Sequence, residues 1–445
     1  MKVQDRIDKS TPRPRRRRQD PNRDTPSTRQ SAQSTLNIDL REDYSPRALG
    51  ILQAAQRVVV RDGAEKLSLR AIAREAGEST SLVLYHFSSM EKLEALLLDS
   101  LWRDIVVEFV ARLNAMPTGQ GARIDALVEF HAKIARKPGL YRTYVDLVAH
   151  VVPNPGIREN VALIYETYRL EINRPFFAAP GLADADVAGR AALALAAGEG
   201  IPIDALVSAR EHSQDVVFEL LSHILKVAAG VRSAPPRDAV DRRDDSKPVR
   251  PLFDELPSAG TARRLIEAGQ NLIRTGGVRS VSLEACAKES GESRPSVGYH
   301  FGNKKKFLDA VAAAALRDLI ISIEQHLNKR GGFTAHDLAT RYFRPKSPFA
   351  LVILMLPLIL QTPSLAALAR DANDYIHLTI ASFLKAAAPG GSHTNYVGLA
   401  RLYTSSLIGL SLQHLYDPRN FDPKPALECL CKAVLRPDTA SAPGR

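Results

Sequence analysis

Residues 68–87 read SLRAIAREAGESTSLVLYHF, and residues 282–301 read SLEACAKESGESRPSVGYHF. The second stretch follows the first at a constant step. Aligned without a gap, 63–87 and 277–301 agree at Gly63, Ser68, Leu69, Ala71, Ala73, Glu75, Gly77, Glu78, Ser79, Val83, Tyr85, His86 and Phe87, which is 13 of 25 positions. Unrelated segments would agree at about one or two of these, so the chain carries a duplicated unit.

Each copy carries the punctuation of two short helices. Ser68 and Ser282 precede helix-favouring runs and suit the N-cap position, where a hydroxyl accepts from an otherwise unpaired amide. Gly77 and Gly291 then end the helix in a left-handed turn that a residue without Cβ adopts easily. Ser79 or Ser293 caps a second short helix, and so tight a turn sets the two helices at a steep angle, as a helix-turn-helix. Ala71, Ala73, Ala285 and Ala287 are small enough for close approach. The spacing places Val83 and Phe87, or Val297 and Phe301, on the buried side. Thr80, Ser81, Leu82 and Tyr85, or Arg294, Pro295, Ser296 and Tyr299, then face outward.

At 445 residues the chain has room for two or three domains, and its formal charge of +11 is compatible with a polyanionic partner or with basic tails alone. The three cysteines, Cys286, Cys429 and Cys431, have neither a disulfide framework nor zinc spacing. That usage, with no leader read at the start, leads to the expectation of a reducing cytoplasm. Phe349 to Leu360 is too short an apolar run for a membrane span and contains Pro357, so it reads as a buried, kinked helix.

The expected organisation is an Arg-rich disordered tail (1–44) and a helix-turn-helix domain (45–92), whose first helix starts at Ser45–Pro46 and turns Leu49, Leu52, Ala55 and Val59 inward until Gly63. A helical domain follows (93–232), opened by a helix through Leu93, Leu96, Leu97, Leu101, Ile105 and Phe109. A Pro-rich charged linker (233–257) leads to a second helix-turn-helix domain (258–306), a second helical domain (307–436) and a short tail (437–445). In the first helical domain Pro138, Pro153, Pro155, Pro180 and Pro202 read as helix breaks. The cluster Arg13 to Arg18 reads either as a DNA-phosphate contact or as a solubilising tail.

The run LSLRAIAREAG after Gly63, the Tyr-His-Phe ending and the Leu-rich helix beyond resemble the DNA-binding domain of the tetracycline-repressor (TetR) family. VSLEACAKESGES to YHFGNKKKFL resembles it too. The resemblance is specific for 49–98 and 265–311 and implies an all-α chain of two tandem TetR-like units. Each unit would be a three-helix DNA-binding domain followed by a helical ligand and dimerisation domain. Ser68, His86, Ser282, His300, Lys304 and Lys305 would then hold phosphates, while Thr80, Ser81, Leu82, Tyr85, Arg294, Ser296 and Tyr299 read bases. Only Arg294 among the base readers has a fork suited to guanine. The chain departs from the family pattern at Leu84 and Gly298, where an aromatic is usual, and at Met90, where the second copy keeps the usual lysine as Lys304.

The resemblance further implies a double-stranded DNA partner, an apolar or aromatic effector, and a repressor without cofactor. Tyr141, Tyr144, Tyr165, Tyr168 and Phe176 are candidates to line the effector pocket, with plain core as the competing reading. Because one chain holds two heads, the expectation is an intramolecular pseudo-dimer, with 188–206 packed on 402–415 and unlike half-sites on the DNA; a homodimer of chains is the other arrangement. No nucleophile elbow, phosphate loop, metal-spaced cluster or paired carboxylates indicate an enzyme. The alternative function is a helical interaction protein whose helix-turn-helix units only pack.

Overall fold

Ser45 accepts a hydrogen bond from the Ala48 amide at 3.2 Å and Pro46 stands in the first turn, so helix α1, Pro46–Asp62, begins where its sequence dictates. Gly63 closes it at a φ of 84°. The buried stripe is Ala48, Ile51, Ala54, Ala55, Val58 and Val59, while Leu49 and Leu52 are only half-buried. The inward face is therefore rotated by about one residue from the leucine-based expectation, because small and β-branched residues fit the close crossing. In this computed structural model the described residues are 45–98, 100–101, 119–178, 182–208, 214–233, 236, 248–253, 256–329, 334–344, 346–387 and 395–435. Expectations for the tails, most of the linker, Ile105, Phe109 and Pro180 lie outside them.

Among these residues every regular element is helical. The first head comprises α1, α2 (Leu69–Ala76) and α3 (Thr80–Phe87), and a helix over 90–98 (α4) leads out of it. The remainder of the first half is α5 (Gln120–Ala135), α6 (Pro138–Val151), α7 (Pro155–Thr167), a π-helical turn Tyr168–Asn173, α8 (Asp184–Val207) and α9 (Gln214–Ala228). The second half repeats the order with α10 (Gly260–Gly276), α11 (Leu283–Ser290), α12 (Arg294–Phe301), α13 (Lys304–Leu327), α14 (Ala335–Tyr342), α15 (Pro348–Gln361), α16 (Pro363–Ala387), α17 (Tyr396–Tyr416) and α18 (Lys424–Leu435). No helix among the described residues is long and apolar enough to cross a membrane.

Residues 44–445 form one compact unit, and its most extensive helix pairing joins the halves. Helices α8 and α17 run antiparallel and touch backbone to backbone. A Cβ on Gly200 would lie 1.8 Å from the Ser405 carbonyl oxygen, and one on Gly409 would lie 1.9 Å from that of Ala196. One turn further on, the Gln413 amide donates to the Ala192 carbonyl at 3.1 Å. When the helices are aligned at Gly200 and Gly409, Ala196 is the equivalent of Ser405. The two contacts are thus one contact made twice in opposite senses, the signature of an isologous interface. Helices α9 and α18 pack alongside to complete a four-helix arrangement.

Helix α8 runs straight through Pro202, which the sequence had marked as a break. Proline leaves the carbonyl four residues earlier without its donor. Here that carbonyl is Gly198, and the buried Tyr141 hydroxyl donates to it at 3.3 Å. A side chain from another helix thus supplies the missing bond.

Close approach makes Gly200 and Gly409 intolerant of any side chain, whereas a Cβ on Gly50 in α1 would meet no atom within 4 Å. We expect Gly200→Ala and Gly409→Ala each to cost about 3 kcal/mol or more in denaturant unfolding, since two backbones must part. Gly50→Ala should stabilise by up to about 1 kcal/mol. Equal effects at Gly50 and Gly200 would remove the close crossing from the account.

Candidate nucleic-acid interface

Four serines build the two helix-turn-helix units. Ser68 accepts from the Ala71 amide at 3.3 Å and Ser79 from Leu82 at 3.2 Å; Ser282 and Ser293 do the same for Ala285 and Ser296 at 3.0 and 3.3 Å. Gly77 and Gly291 both sit in the left-handed region, at φ 70° and 72°. The repeated glutamate after each glycine anchors the turn to the first helix of its head. Arg47 Nε lies 2.7 Å from Glu78 and Arg264 Nη2 lies 2.5 Å from Glu292. Its recurrence at 78 and 292 was the only sequence signal for that role. The residue after the second helix also needs positive φ: Gly302 meets this at 74°, while Ser88 holds 64° as a non-glycine residue.

Burial separates packing from presentation. Val83, Phe87 and Val297 are buried, and Phe301 is half-buried with its ring 5.0 Å from Phe307. Tyr85 and Tyr299 are 78% and 87% exposed, the most exposed aromatics of the chain's described residues. Ser68, Ser81, Arg294, His300, Lys304 and Lys305 are exposed, whereas Thr80, Leu82, His86, Ser282 and Ser296 are half-buried. Leu84 is 38% exposed beside Tyr85, and Gly298 leaves the matching spot in α12 bare. Arg294 pairs with Glu284 at 2.9 Å and Lys305 with Asp309 at 3.0 Å. Both pairs are solvent-exposed and exchangeable.

The heads touch one another. Arg279 Nη2 donates to the Ala64 carbonyl at 2.5 Å. Ala64–Lys66 and Val278–Ser280 are equivalent 3-10 turns, so this contact also joins like with like. Beneath them α6 and α15 pack together, α6 against α1 and the 64–66 turn, α15 against α10. His150 of α6 reaches the buried Glu94 of α4 at 2.6 Å. None of this head-to-head geometry was legible in the sequence, because Arg279 and Ala64 are 215 residues apart.

In the first helical domain Tyr141, Tyr144 and Tyr165 converge as expected, but on a carboxylate. Tyr165 donates to Glu199 Oε1 at 2.7 Å, the Tyr144 and Tyr165 hydroxyls meet, and the Tyr416 ring of the second half lies 4.9 Å from Tyr165. Phe176 is buried under the Arg123 guanidinium and Tyr168 is half-buried. Tyr144, Tyr165 and Tyr416 thus pack on one another with Tyr165 bonded to Glu199, and an apolar cavity is lined mainly by the second half. Burial pushes the Glu199 carboxyl up to about 8, against the opposing hydrogen bonds from Tyr165 and Tyr144 and the charge of Arg169.

Residues 51–95 and 265–311 each match the model for bacterial regulatory proteins of the tetR family. No curated protein matches the chain. Among its described residues the chain is all-α, and it carries two TetR-type domains in tandem, of the kind found in DNA-binding regulators. Regulators of this family are generally not enzymes.

Exposure makes Tyr85 and Val83 a paired test. Tyr85→Ala should leave unfolding within about 0.5 kcal/mol of wild type, whereas Val83→Ala, two residues away but on the buried face, should cost about 2 kcal/mol. A second expectation concerns pH. Because the folded carboxyl of Glu199 sits near 8, above its ordinary 4.5, the folded chain keeps a proton that the unfolded chain releases. This stabilisation is full at low pH and is lost as pH rises through about 8. His131 and His326, held near 4 by burial, act in the opposite sense below 6.5. Unfolding free energy should therefore fall from pH 6.5 to 8, and Glu199→Gln should flatten that slope.

Proposed function

We propose that the chain is a ligand-responsive repressor whose two halves act as an intramolecular pseudo-dimer on duplex DNA with unlike half-sites. The observation that carries this reading is reciprocity. The halves meet through equivalent residues at α8 and α17 and through equivalent turns at the heads, which favours an approximate two-fold axis running between them. On this reading the axis would present α3 and α12 to one side of a duplex, whose successive major grooves lie roughly 34 to 36 Å apart.

Within that reading Ser68, His86, Ser282, His300, Lys304 and Lys305 hold phosphates. A serine hydroxyl that accepts from a helix amide keeps its own proton to donate to a phosphate oxygen. Thr80, Ser81, Leu82 and Tyr85 read one half-site; Arg294, Ser296 and Tyr299 read the other, Arg294 leaving Glu284 for guanine. The unlike side chains call for an operator that is not a palindrome. An effector in a helical domain releases the DNA by favouring a different head arrangement, and by linkage DNA weakens effector binding equally.

Selection of bound oligonucleotides from a random duplex pool tests this. We expect a bipartite, asymmetric site and a steep fall of affinity with salt. Tyr85→Ala and Tyr299→Ala should each erase preference in a different half-site. A perfect palindrome would point to two chains each using one head, and salt-independent or absent binding would leave the helix-turn-helix units as packing modules.

A further inference from the structure

The halves treat one corresponding spot in opposite ways. In the alignment set by Gly200 and Gly409, Glu199 of α8 is the equivalent of Ile408 of α17. Around Glu199 the space is taken by Tyr144, Tyr165 and Tyr416. Ile408 instead lines a cavity bounded by α13, α15, α16 and α17 and closed on one side by Ile203 and Val207 of the first half's α8. The cavity wall is apolar, mostly aliphatic side chains such as Leu319, Leu356 and Ile376 with the Phe349 ring, and holds no charged side chain; its polar members are Asn373 and Thr404.

Both polar residues are backed by a buried network that crosses between the halves. The Asn373 amide donates to Asp204 Oδ1 at 3.0 Å and to Ser208 Oγ at 3.2 Å, and Thr404 Oγ1 lies 2.9 Å from His377 Nε2. Asp204 itself faces His377 at 3.2 Å and Arg401 at 3.5 Å. With the Asn373 amide group committed to that network, its carbonyl oxygen is the group left to meet a donor. A carboxylate guest would find no cation on the wall and Asp204 behind it; a cationic guest would find Asp204 already matched by His377 and Arg401. The site therefore selects a neutral, mostly apolar molecule with one hydroxyl.

We propose that the effector response assumed under the proposed function is served by this cavity alone, which takes one neutral, hydroxyl-bearing apolar molecule per chain, the first half being closed by its tyrosine and glutamate side chains. The coupling element is α15. Val352, Leu356 and Ile359 on one face line the cavity, while Leu354, Pro357, Leu358 and Gln361 on the other line the junction that contains Ala64 and Arg279 of the two heads. A guest that presses on Leu356 therefore acts through a single helix on the turns that join the heads.

Titration calorimetry of the full chain, without DNA, with a graded series of alkylphenols and linear alkanols and the matched alkylbenzoates tests the site. We expect saturable binding of one hydroxyl compound per chain and at least about tenfold weaker binding of the benzoate. Ala372→Leu, which adds bulk to the wall, should lose about tenfold or more in affinity, as should the gentler Asn373→Asp, whose charge opposes Asp204. Tyr168→Phe in the first half should change nothing. Thermal unfolding checks that each variant is folded. No saturable binding across the series, two molecules per chain, or binding unaffected in both folded cavity variants would overturn the proposal. Failure of the wild-type chain to bind duplex DNA would instead defeat the functional reading and leave the calorimetric result standing.

Discussion

The structure depends on a backbone-to-backbone crossing of α8 and α17 at Gly200 and Gly409. Neither glycine is needed for its φ, since both lie inside helices that other residues would form better. They are there because the carbonyl oxygens of Ser405 and Ala196 occupy the space a side chain would take. Two halves that meet so closely leave their helical domains little freedom to slide. The remaining adjustable contacts lie farther out, where α6 and α15 carry the heads.

Those outer contacts are of a different physical kind. A charge-assisted hydrogen bond from Arg279 to the Ala64 carbonyl and a bond between His150 and Glu94 are directional polar contacts, in contrast to the backbone-to-backbone packing of the α8 to α17 seam. On the reading proposed above, the close seam would serve as the fixed reference and the hydrogen-bonded periphery as the set of contacts that an effector rearranges.

How much of this could be read in the sequence follows the range of each interaction. The serine caps, the left-handed glycines and the division of α3 and α12 into buried and exposed faces depend on neighbours a few residues away, and the sequence displays them openly. The small-residue run at 188–200 and its counterpart in α17 also announce a close crossing. Features set by distant partners were hidden. Pro202 reads as a break until Tyr141 is seen to bond the Gly198 carbonyl. That Tyr165 bonds Glu199 was hidden too, because Glu199 is one acid in a small-residue helix with nothing local to mark it. The cavity of the second half is lined by ordinary core residues, which by composition are no different from a filled core.

Duplication followed by divergence has a geometric result at the exposed faces of α3 and α12. A reader made of two identical parts has no front or back along a double helix. Here Thr80, Ser81 and Leu82 correspond in sequence to Arg294, Pro295 and Ser296, so a pseudo-dimer of the kind proposed above would have a polarity. Lying across a duplex, it would point one way along the strand, and whatever occupies its surroundings would meet an upstream side unlike the downstream one.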